Sequence, residues 1–192
     1  VWSDPKPDGT PPNNWQAVFG GPSWTWDARR QQYYMHNFLP SQPQLNLHNP
    51  DVQDALVDVM RFWLDRGVDG FRLDALNFSL FDPDLRDNPP KIPAPRNVSR
   101  PFDLQEHVHN QSHVDLPKFL KRLRMLMDEY GEIFSVAEVP GPSPLEEMRA
   151  YTEGEQNLNS AYNFDFLYAK RLGAEAIATS QSNWLGAPGE GW

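Results

Sequence analysis

The stretch VDGFRLDA, residues 68–75, decides the fold of this chain. Its apolar residues predict a short strand that enters a buried setting and ends at an acid, Asp74. The stretch EIFSVAEV, residues 132–139, repeats this pattern and carries Glu138 near its end. Because a buried strand is normally apolar, an acid at the end of each strand is the main oddity of the sequence.

Helical patterns lie before and between these strands. Asn49 is a good N-cap, Pro50 suits the first helical position, and apolar residues follow at helical spacing until Gly67. A second helix is predicted over residues 115–130, with its apolar residues on one face. Helices and strands that alternate in this way predict a parallel sheet with helical crossovers.

The alternation continues downstream. Ser143 and Glu146 predict a capping box at the start of a short helix, followed by a third strand over residues 162–167 and a last helix over 168–180. Long loops after the strands, above all the proline-rich segment 76–114, favour a (β/α)8 barrel over an open sheet. Since a barrel needs eight strands and about three are present, we predict an α/β fold that is a partial (β/α)8 TIM barrel.

The first 36 residues are rich in Trp, Pro, Gly, Asn and Asp and show no sustained periodicity. They predict an irregular, loop-rich segment. Its residues Trp24 and Trp26 are interpreted as core residues in preference to platforms for a sugar. Residues 184–192 form a second stretch rich in glycine and proline.

Composition narrows the classes of partner. The 192 residues have a formal net charge of −9, which argues against nucleic acid or an anionic membrane surface as a partner. No window approaches the roughly 18 apolar residues of a membrane span. The sequence contains no cysteine, so disulfides and thiolate metal sites are excluded while the compartment stays open. The spacing of His107, His109 and His113 matches no zinc pattern.

The positions of the two acids suit a particular chemistry. Consecutive strands of a parallel unit are often neighbours, and a barrel has its active site at their carboxyl ends. Inward side chains of Asp74 and Glu138 at equal height would then be roughly 5 Å apart. Retaining glycosidases use carboxylates about 5–5.5 Å apart, and inverting ones about 6.5–9.5 Å. This indicates a retaining glycosidase; the alternative that both residues are N-caps or surface acids stays open.

Arg72 distinguishes the two acids. It lies two residues before Asp74 and shares its strand face, where a guanidinium favours the ionised carboxylate that a nucleophile needs. Val136 has the equivalent position before Glu138. That predicts a more apolar setting for Glu138, which suits a proton donor.

Several motifs resemble those of glycoside hydrolase family 13, the α-amylase family. GFRLDA at 70–75 is similar to its fourth-strand motif, and VAEV at 136–139 to its fifth-strand motif. QPQLN at 42–46 is similar to the QPDLN motif near the end of domain B, the excursion between strands three and four. Motifs within residues 14–36 resemble domain B of oligosaccharide-cleaving α-glucosidases, including oligo-1,6-glucosidases. The resemblance covers nearly the whole chain.

The resemblance implies roles by position. Asp74 would be the nucleophile, and Glu138 would be the general acid and then the general base. Arg72 would hold Asp74 and touch the 2-hydroxyl of the glucose. Phe38 matches an aromatic residue that stacks on this glucose, and Gln42 would lie at the pocket wall.

The resemblance also implies a central fragment of a longer protein. Residues 1–36 would be the C-terminal part of domain B, and residues 37–192 the middle of the barrel, about strands 4 to 6. The family's third-strand motif and first-loop calcium site would precede Val1, so no metal or cofactor is expected in this segment. Its seventh-strand His-Asp motif, with the transition-state-stabilising aspartate, would follow Trp192. We therefore expect the fragment alone to be inactive.

The implied function is retaining hydrolysis of terminal α-glucosidic bonds in small α-glucoside oligosaccharides. Ala75 is the kind of small residue that the resemblance associates with α-1,4 linkages, whereas valine goes with α-1,6. One alternative is a transglycosylating or isomerising relative, similar to trehalose or isomaltulose synthases. Another is a non-catalytic, amylase-like interaction protein, similar to the heavy chain of amino-acid transporters; the presence of Arg72, Asp74 and Glu138 argues against it.

Overall fold

The computed structural model describes residues 1–141, 143–162 and 164–184. Its strands and helices are β1 (Trp2–Ser3), β2 (Trp24–Asp27), β3 (Gln32–Met35), α1 (Pro50–Leu64), β4 (Gly70–Leu73), α2 (Leu116–Asp128), β5 (Phe134–Glu138), α3 (Pro144–Thr152), β6 (Ser160–Tyr162), α4 (Asp165–Tyr168) and α5 (Ala174–Trp184). None of the described helices has both the length and the apolar character needed to cross a membrane. Most of the predicted stretch 184–192 lies outside the described residues.

The strands form two sheets in the part of the chain that is described. The first has the order β1-β3-β2 and is antiparallel. The second has the order β4-β5-β6 and is parallel. Helix α2 connects β4 to β5, and α3 connects β5 to β6. These helical crossovers between parallel strands confirm the predicted α/β class.

By their internal contacts the residues form two compact units. One comprises residues 1–52 and 78–113, and the other comprises residues 53–77 and 114 onward. Units within a partial chain need not coincide with the domains of a complete protein. The boundary predicted after residue 36 therefore stays a prediction.

Helix α1 begins and ends where its capping residues predict. The Asn49 side-chain oxygen accepts the Asp51 N–H at 2.9 Å, as an N-cap does. Gly67 has a φ of 83° and donates its N–H to the Leu64 carbonyl at 2.9 Å. That left-handed conformation ends helices and favours glycine.

Helix α2 is held mainly by its apolar face. Arg122 donates to the Gln53 side chain at 2.8 Å, and Arg61 pairs with Glu129 at 2.8 Å, which ties α2 and the segment after it to α1. Such exposed pairs stabilise little. Each fully buried apolar side chain contributes about 1.5–3 kcal/mol. The buried side chains of α2 are Leu116, Phe119, Leu120, Leu123, Leu126 and Met127.

The small antiparallel sheet corrects the expectation that the first 36 residues are wholly irregular. Its strands have two to four residues, too few for a periodic pattern to be seen in the sequence. Trp24 lies in a buried cluster with Trp15, Met35 and Phe81, so its interpretation as a core residue is confirmed. Trp26 is half-exposed and packs its ring 5.1 Å from that of Tyr33, so it is not a core residue.

Three local predictions are wrong in the carboxyl-terminal third. The third strand is Ser160–Tyr162 and not residues 162–167, and the last helix is Ala174–Trp184 and not 168–180. The Ser143 side chain makes no capping hydrogen bond. Its backbone N–H lies 3.4 Å from a carboxylate oxygen of Glu147, one residue beyond the predicted partner.

The predicted long loop between β4 and α2 is confirmed, and it is ordered by side chains. The buried Asp82 carboxylate accepts the Arg86 guanidinium at 2.7 and 3.1 Å and the backbone N–H groups of Asp84 and Arg86 at 3.3 and 3.2 Å. The Arg86 hydrogen bond lowers the pKa of Asp82 to about 2. The His107 ring lies within hydrogen-bonding distance of Asn110 and the Phe102 carbonyl, at 3.1 and 2.8 Å. No group of three metal-binding side chains occurs in the described chain.

Candidate active site

The register of the parallel sheet sets the two acids at one level. Leu73 of β4 lies opposite Ala137 of β5, so Asp74 and Glu138 are the next residues on the two strands. Glu138 in turn lies opposite Tyr162 of β6. Because side chains alternate along a strand, all three project from the same face at the carboxyl edge of the sheet.

Arg72 joins these residues. Its Nη1 lies 2.6 Å from Asp74 Oδ1, and its Nη2 lies 2.9 Å from Glu138 Oε2. Its Nε donates to the Tyr162 hydroxyl at 2.8 Å. The Tyr162 hydrogen bond, followed by contact with the two carboxylates, raises the pKa of Arg72 well above its ordinary value. Arg72 therefore stays charged while its three nitrogens contact three different side chains.

This arrangement differs from the expected asymmetry between the acids. The sequence assigns Arg72 to Asp74 and leaves Glu138 in an apolar setting, whereas the guanidinium contacts both. A side chain two residues along one strand also reaches the neighbouring strand, because parallel strands are only about 4.8 Å apart. The acids differ instead in exposure: 72% of the Asp74 side chain is exposed, against 12% of Glu138.

The backbone after Asp74 adds a hydrogen bond that the sequence does not reveal. Ala75 has a φ of 43°, which few residues other than glycine adopt. In this conformation its N–H donates to Glu138 Oε2 at 3.0 Å. Uncommon backbone angles of this kind cluster at functional sites. Glu138 is thus held by one charged and one neutral donor.

Phe38 and Gln42 belong to the other compact unit. The Phe38 ring lies 5.8 Å from that of Phe19 and 5.0 Å from that of Phe78, in an aromatic group. The Gln42 side-chain oxygen accepts the Leu39 N–H at 3.2 Å in a local turn. Their roles in sugar binding stay predictions.

Gln44, which departs from the aspartate of the QPDLN motif, has a structural use of its own. Its side-chain nitrogen donates to the carbonyl of Phe78 at 3.0 Å, and its side-chain oxygen accepts the Asn37 amide at 3.0 Å. A carboxylate has no proton to donate to a carbonyl at neutral pH. The amide thus makes a link that an aspartate cannot.

Tyr162 is the site residue that sequence reasoning missed. The sequence predicts the third strand over residues 162–167, which puts Tyr162 at its start, whereas in the structure Tyr162 is its last residue. The sequence holds no clear signal for Tyr162, and the contact made by its neighbour Asn159 is seen only in the structure. The Asn159 side-chain oxygen accepts the backbone N–H of Ser135 at 2.9 Å and so pairs the start of β6 with β5.

Two carboxylates bridged by one arginine, at the carboxyl ends of adjacent parallel strands, define an α/β protein with a paired-carboxylate site. The chain belongs to the α-amylase family: the family model of the alpha amylase catalytic domain matches residues 1–184. This confirms the resemblance to glycoside hydrolase family 13, whose catalytic domain is a TIM barrel.

Individual relatives differ in what their names describe. A probable alpha-glucosidase of Rhizobium meliloti (strain 1021) is 50% identical over 199 residues, covering 100% of this chain and 36% of that protein. The amino acid transporter heavy chain SLC3A1 of Homo sapiens is 42% identical over 63% of this chain and 18% of that protein. A crystal structure of an alpha-glucosyl transfer enzyme has a TM-score of 0.89 and 44% identity, covering 100% of this chain and 36% of that one. The chain thus spans about a third or less of the length of these relatives.

Proposed function

We propose that the protein containing this chain hydrolyses terminal α-glucosidic bonds of short oligosaccharides with retention of configuration. The observation that carries the proposal is the pair of carboxylates held by one guanidinium, at 2.6 and 2.9 Å. Two acids on adjacent strands fit the short separation of a retaining enzyme better than the longer one of an inverting enzyme. The similarity to a probable alpha-glucosidase supports an α-glucosidic bond as the one cleaved.

In the first step the exposed Asp74 carboxylate attacks the anomeric carbon of the terminal glucose. The bond from that carbon to the leaving oxygen breaks, and Glu138 gives its proton to this oxygen. The result is a β-glucosyl ester on Asp74 and an ionised Glu138. Arg72 contacts Asp74 before the attack and faces Glu138 when Glu138 becomes charged.

In the second step water replaces the leaving group. Glu138 takes a proton from the water, whose oxygen attacks the anomeric carbon from the α face, and the bond to Asp74 breaks. The product is α-glucose, and both acids return to their starting protonation states. The Ala75 N–H and the Arg72 guanidinium both contact the same oxygen of Glu138, which leaves its other oxygen for the proton transfers.

The proposal extends to the finer fold and to the sugar pocket. We assign β4, β5 and β6 as strands 4 to 6 of a (β/α)8 barrel, and residues 1–36 as the end of an irregular domain B. Their order and the long loop after β4 support this assignment. Phe38 would stack on the glucose at the cleavage point, and Gln42 would lie at the pocket wall.

Azide rescue tests the roles of the two acids in the complete protein. We expect Asp74→Gly to lose at least about 10³-fold in kcat and, with azide, to form β-glucosyl azide, because azide takes the place of the missing nucleophile. We expect Glu138→Ala to lose about 10²–10⁴-fold. With azide it should form α-glucosyl azide, because azide then attacks the glucosyl-enzyme in place of water. Product configuration is read by proton NMR.

A matched control is Asp54→Asn, which removes an exposed carboxylate paired with Arg122. It should leave kcat unchanged. Unchanged activity of Asp74→Asn would remove the mechanism. Formation of the same azide anomer by both acid variants would contradict the division of roles.

Ala75 is the residue behind the proposed preference for α-1,4 linkages. Its φ of 43° disfavours a β-branched valine in the same position. Since the family resemblance associates a small residue here with α-1,4 linkages, the complete enzyme should cleave maltose faster than isomaltose; faster cleavage of isomaltose would refute this preference.

Transfer of glucose to a second sugar is a second candidate function. The similarity to an alpha-glucosyl transfer enzyme supports it, and both functions share the first chemical step. Product analysis at rising maltose concentration separates them. Two moles of glucose released per mole of maltose consumed indicate hydrolysis, and a trisaccharide product indicates transfer.

A non-catalytic role, suggested by the similarity to a transporter heavy chain, makes a different prediction. A folded complete protein would then turn over no α-glucoside, and Asp74→Asn would change nothing measurable. The presence of both acids in contact with Arg72 supports the enzyme instead.

A further inference from the structure

We infer that Tyr162 is a positioning residue that holds the Arg72 guanidinium toward both acids. The inference rests on the proposed function, because it concerns how Arg72 serves the same reaction. The Tyr162 hydroxyl accepts the Nε–H of Arg72 at 2.8 Å, and Nε is the guanidinium nitrogen that neither carboxylate contacts.

Arg72 needs such an anchor because about half of its side chain is exposed, at 49%. A long arginine side chain has many rotamers, and its planar guanidinium can bind two acids only when the orientation of that plane is fixed. With contacts to Nη1 and Nη2 alone, the orientation of the guanidinium plane would depend on Asp74 and Glu138 themselves. The third contact, from Nε to Tyr162, fixes the orientation of this plane independently of the two acids.

The three partners of Arg72 behave differently during the proposed reaction. Asp74 becomes an ester and loses its charge, and Glu138 alternates between acid and carboxylate. Tyr162 takes part in none of the proposed bond changes or proton transfers. Its hydrogen bond to Arg72 is therefore the only one of the three contacts that the reaction steps leave unaltered.

Tyr162 is itself fixed by the sheet. It lies opposite Glu138 in the pairing of β5 with β6, and its carbonyl accepts the Val139 N–H at 3.0 Å. Its ring contacts that of Phe164 with the centroids 6.4 Å apart. The hydroxyl is thus carried by the same rigid edge that carries Glu138, which is what positioning a catalytic group requires.

The experiment compares Tyr162→Phe with the unaltered complete enzyme. Phenylalanine keeps the ring and removes the hydroxyl. A hydrogen bond to a charged group contributes about 1.5–3 kcal/mol, so kcat/KM should fall about 10- to 100-fold. The Tm should fall by only a few degrees, since the fold keeps the ring and its packing.

Two further variants make the result specific. Tyr130→Phe removes a surface hydroxyl that donates to Asp65 at 2.6 Å and should leave kcat/KM unaltered. In an Arg72→Lys background, Tyr162→Phe should have no further effect, since lysine has no Nε edge for the hydroxyl to hold. That non-additivity separates an action through Arg72 from a general structural role.

Unchanged kcat/KM in Tyr162→Phe would overturn the inference. So would losses that simply multiply when Tyr162→Phe and Arg72→Lys are combined. Full activity of Asp74→Asn would refute the proposed function itself. Inactivity of Asp74→Asn together with an unchanged kcat/KM of Tyr162→Phe would refute only the role of Tyr162.

Discussion

Gly70 is the residue on which the close pairing of strands β4 and β5 depends. A Cβ added there would lie 2.3 Å from the Phe134 carbonyl oxygen and 3.1 Å from its carbonyl carbon. Both atoms belong to the backbone of β5, so neither can rotate away. The hydrogen of glycine is what lets β4 and β5 pair at this point.

We expect Gly70→Ala to destabilise the complete protein by about 1–3 kcal/mol, since overpacking of a tight contact costs about that much. The loss should show as a lower Tm and a lower kcat, because the register of Asp74 against Glu138 shifts. Gly173→Ala is the control, because nothing lies within 4 Å of the added Cβ there. A stable, active Gly70→Ala would mean that the strands are farther apart than described.

At this scale the sequence predicts the charged part of the site and misses the neutral part. Alternation along a strand is enough to put Arg72 beside Asp74, and parallel pairing is enough to put Glu138 next to Asp74; the contact of Arg72 with Glu138 is not predicted. The hydrogen bond from the Ala75 N–H depends on a positive φ, which the residue type alanine does not predict. Tyr162 depends on the register of a three-residue strand.

The long loop between β4 and α2 is an element whose order depends on one buried carboxylate. The pKa of Asp82 is about 2 in the fold, against an ordinary value of 3.8. A lowered pKa stabilises the fold above the ordinary value, and this stabilisation is lost as the pH falls through the folded value. The loop should therefore loosen between about pH 4 and pH 2.

Hydrogen exchange measures this loosening. The protection factor of the Arg86 amide, which donates to Asp82 at 3.2 Å, should fall across that interval. Asp82→Asn should show the lower protection already at neutral pH, because a buried polar partner lost costs about 1–3 kcal/mol. Asp84→Asn, at an exposed neighbour, should behave like the unaltered protein. Protection that is indifferent to pH in all three proteins would contradict the argument.

The elements that the sequence predicts best are those with a long apolar stripe and marked ends. Helix α1 has Asn49 before it and Gly67 after it, and α2 buries six apolar residues on one face. The three strands of the small sheet have two to four residues, so no period can be read from them. Strand β6 has only Ala161 buried and carries almost no apolar signal.

For the whole molecule we predict that the 192-residue chain alone does not turn over p-nitrophenyl α-glucoside. Asp74 and Arg72 have side chains 72% and 49% exposed, and water weakens every electrostatic contact at such a site. This sequence contains no His-Asp pair. The family resemblance requires that motif, because its aspartate is the third acid, which stabilises the transition state.

The measurement compares the chain with the complete protein at equal molar concentration. The background is the Asp74→Asn variant of each. Turnover by the chain that disappears in its own Asp74→Asn variant would show that the described residues suffice for catalysis.

Because Asp74 and Glu138 share the guanidinium of Arg72, substitutions at the two acids should not be independent in evolution. If a descendant loses Asp74, Arg72 still faces Glu138 as a one-to-one ion pair; if both are lost, the cation has no counterpart. Strong epistasis follows, because the cost of each replacement depends on whether the other has already occurred. Descendants that abandon the chemistry should thus discard the arginine along with its acids, so its presence beside only one of them would mark an intermediate in that decay.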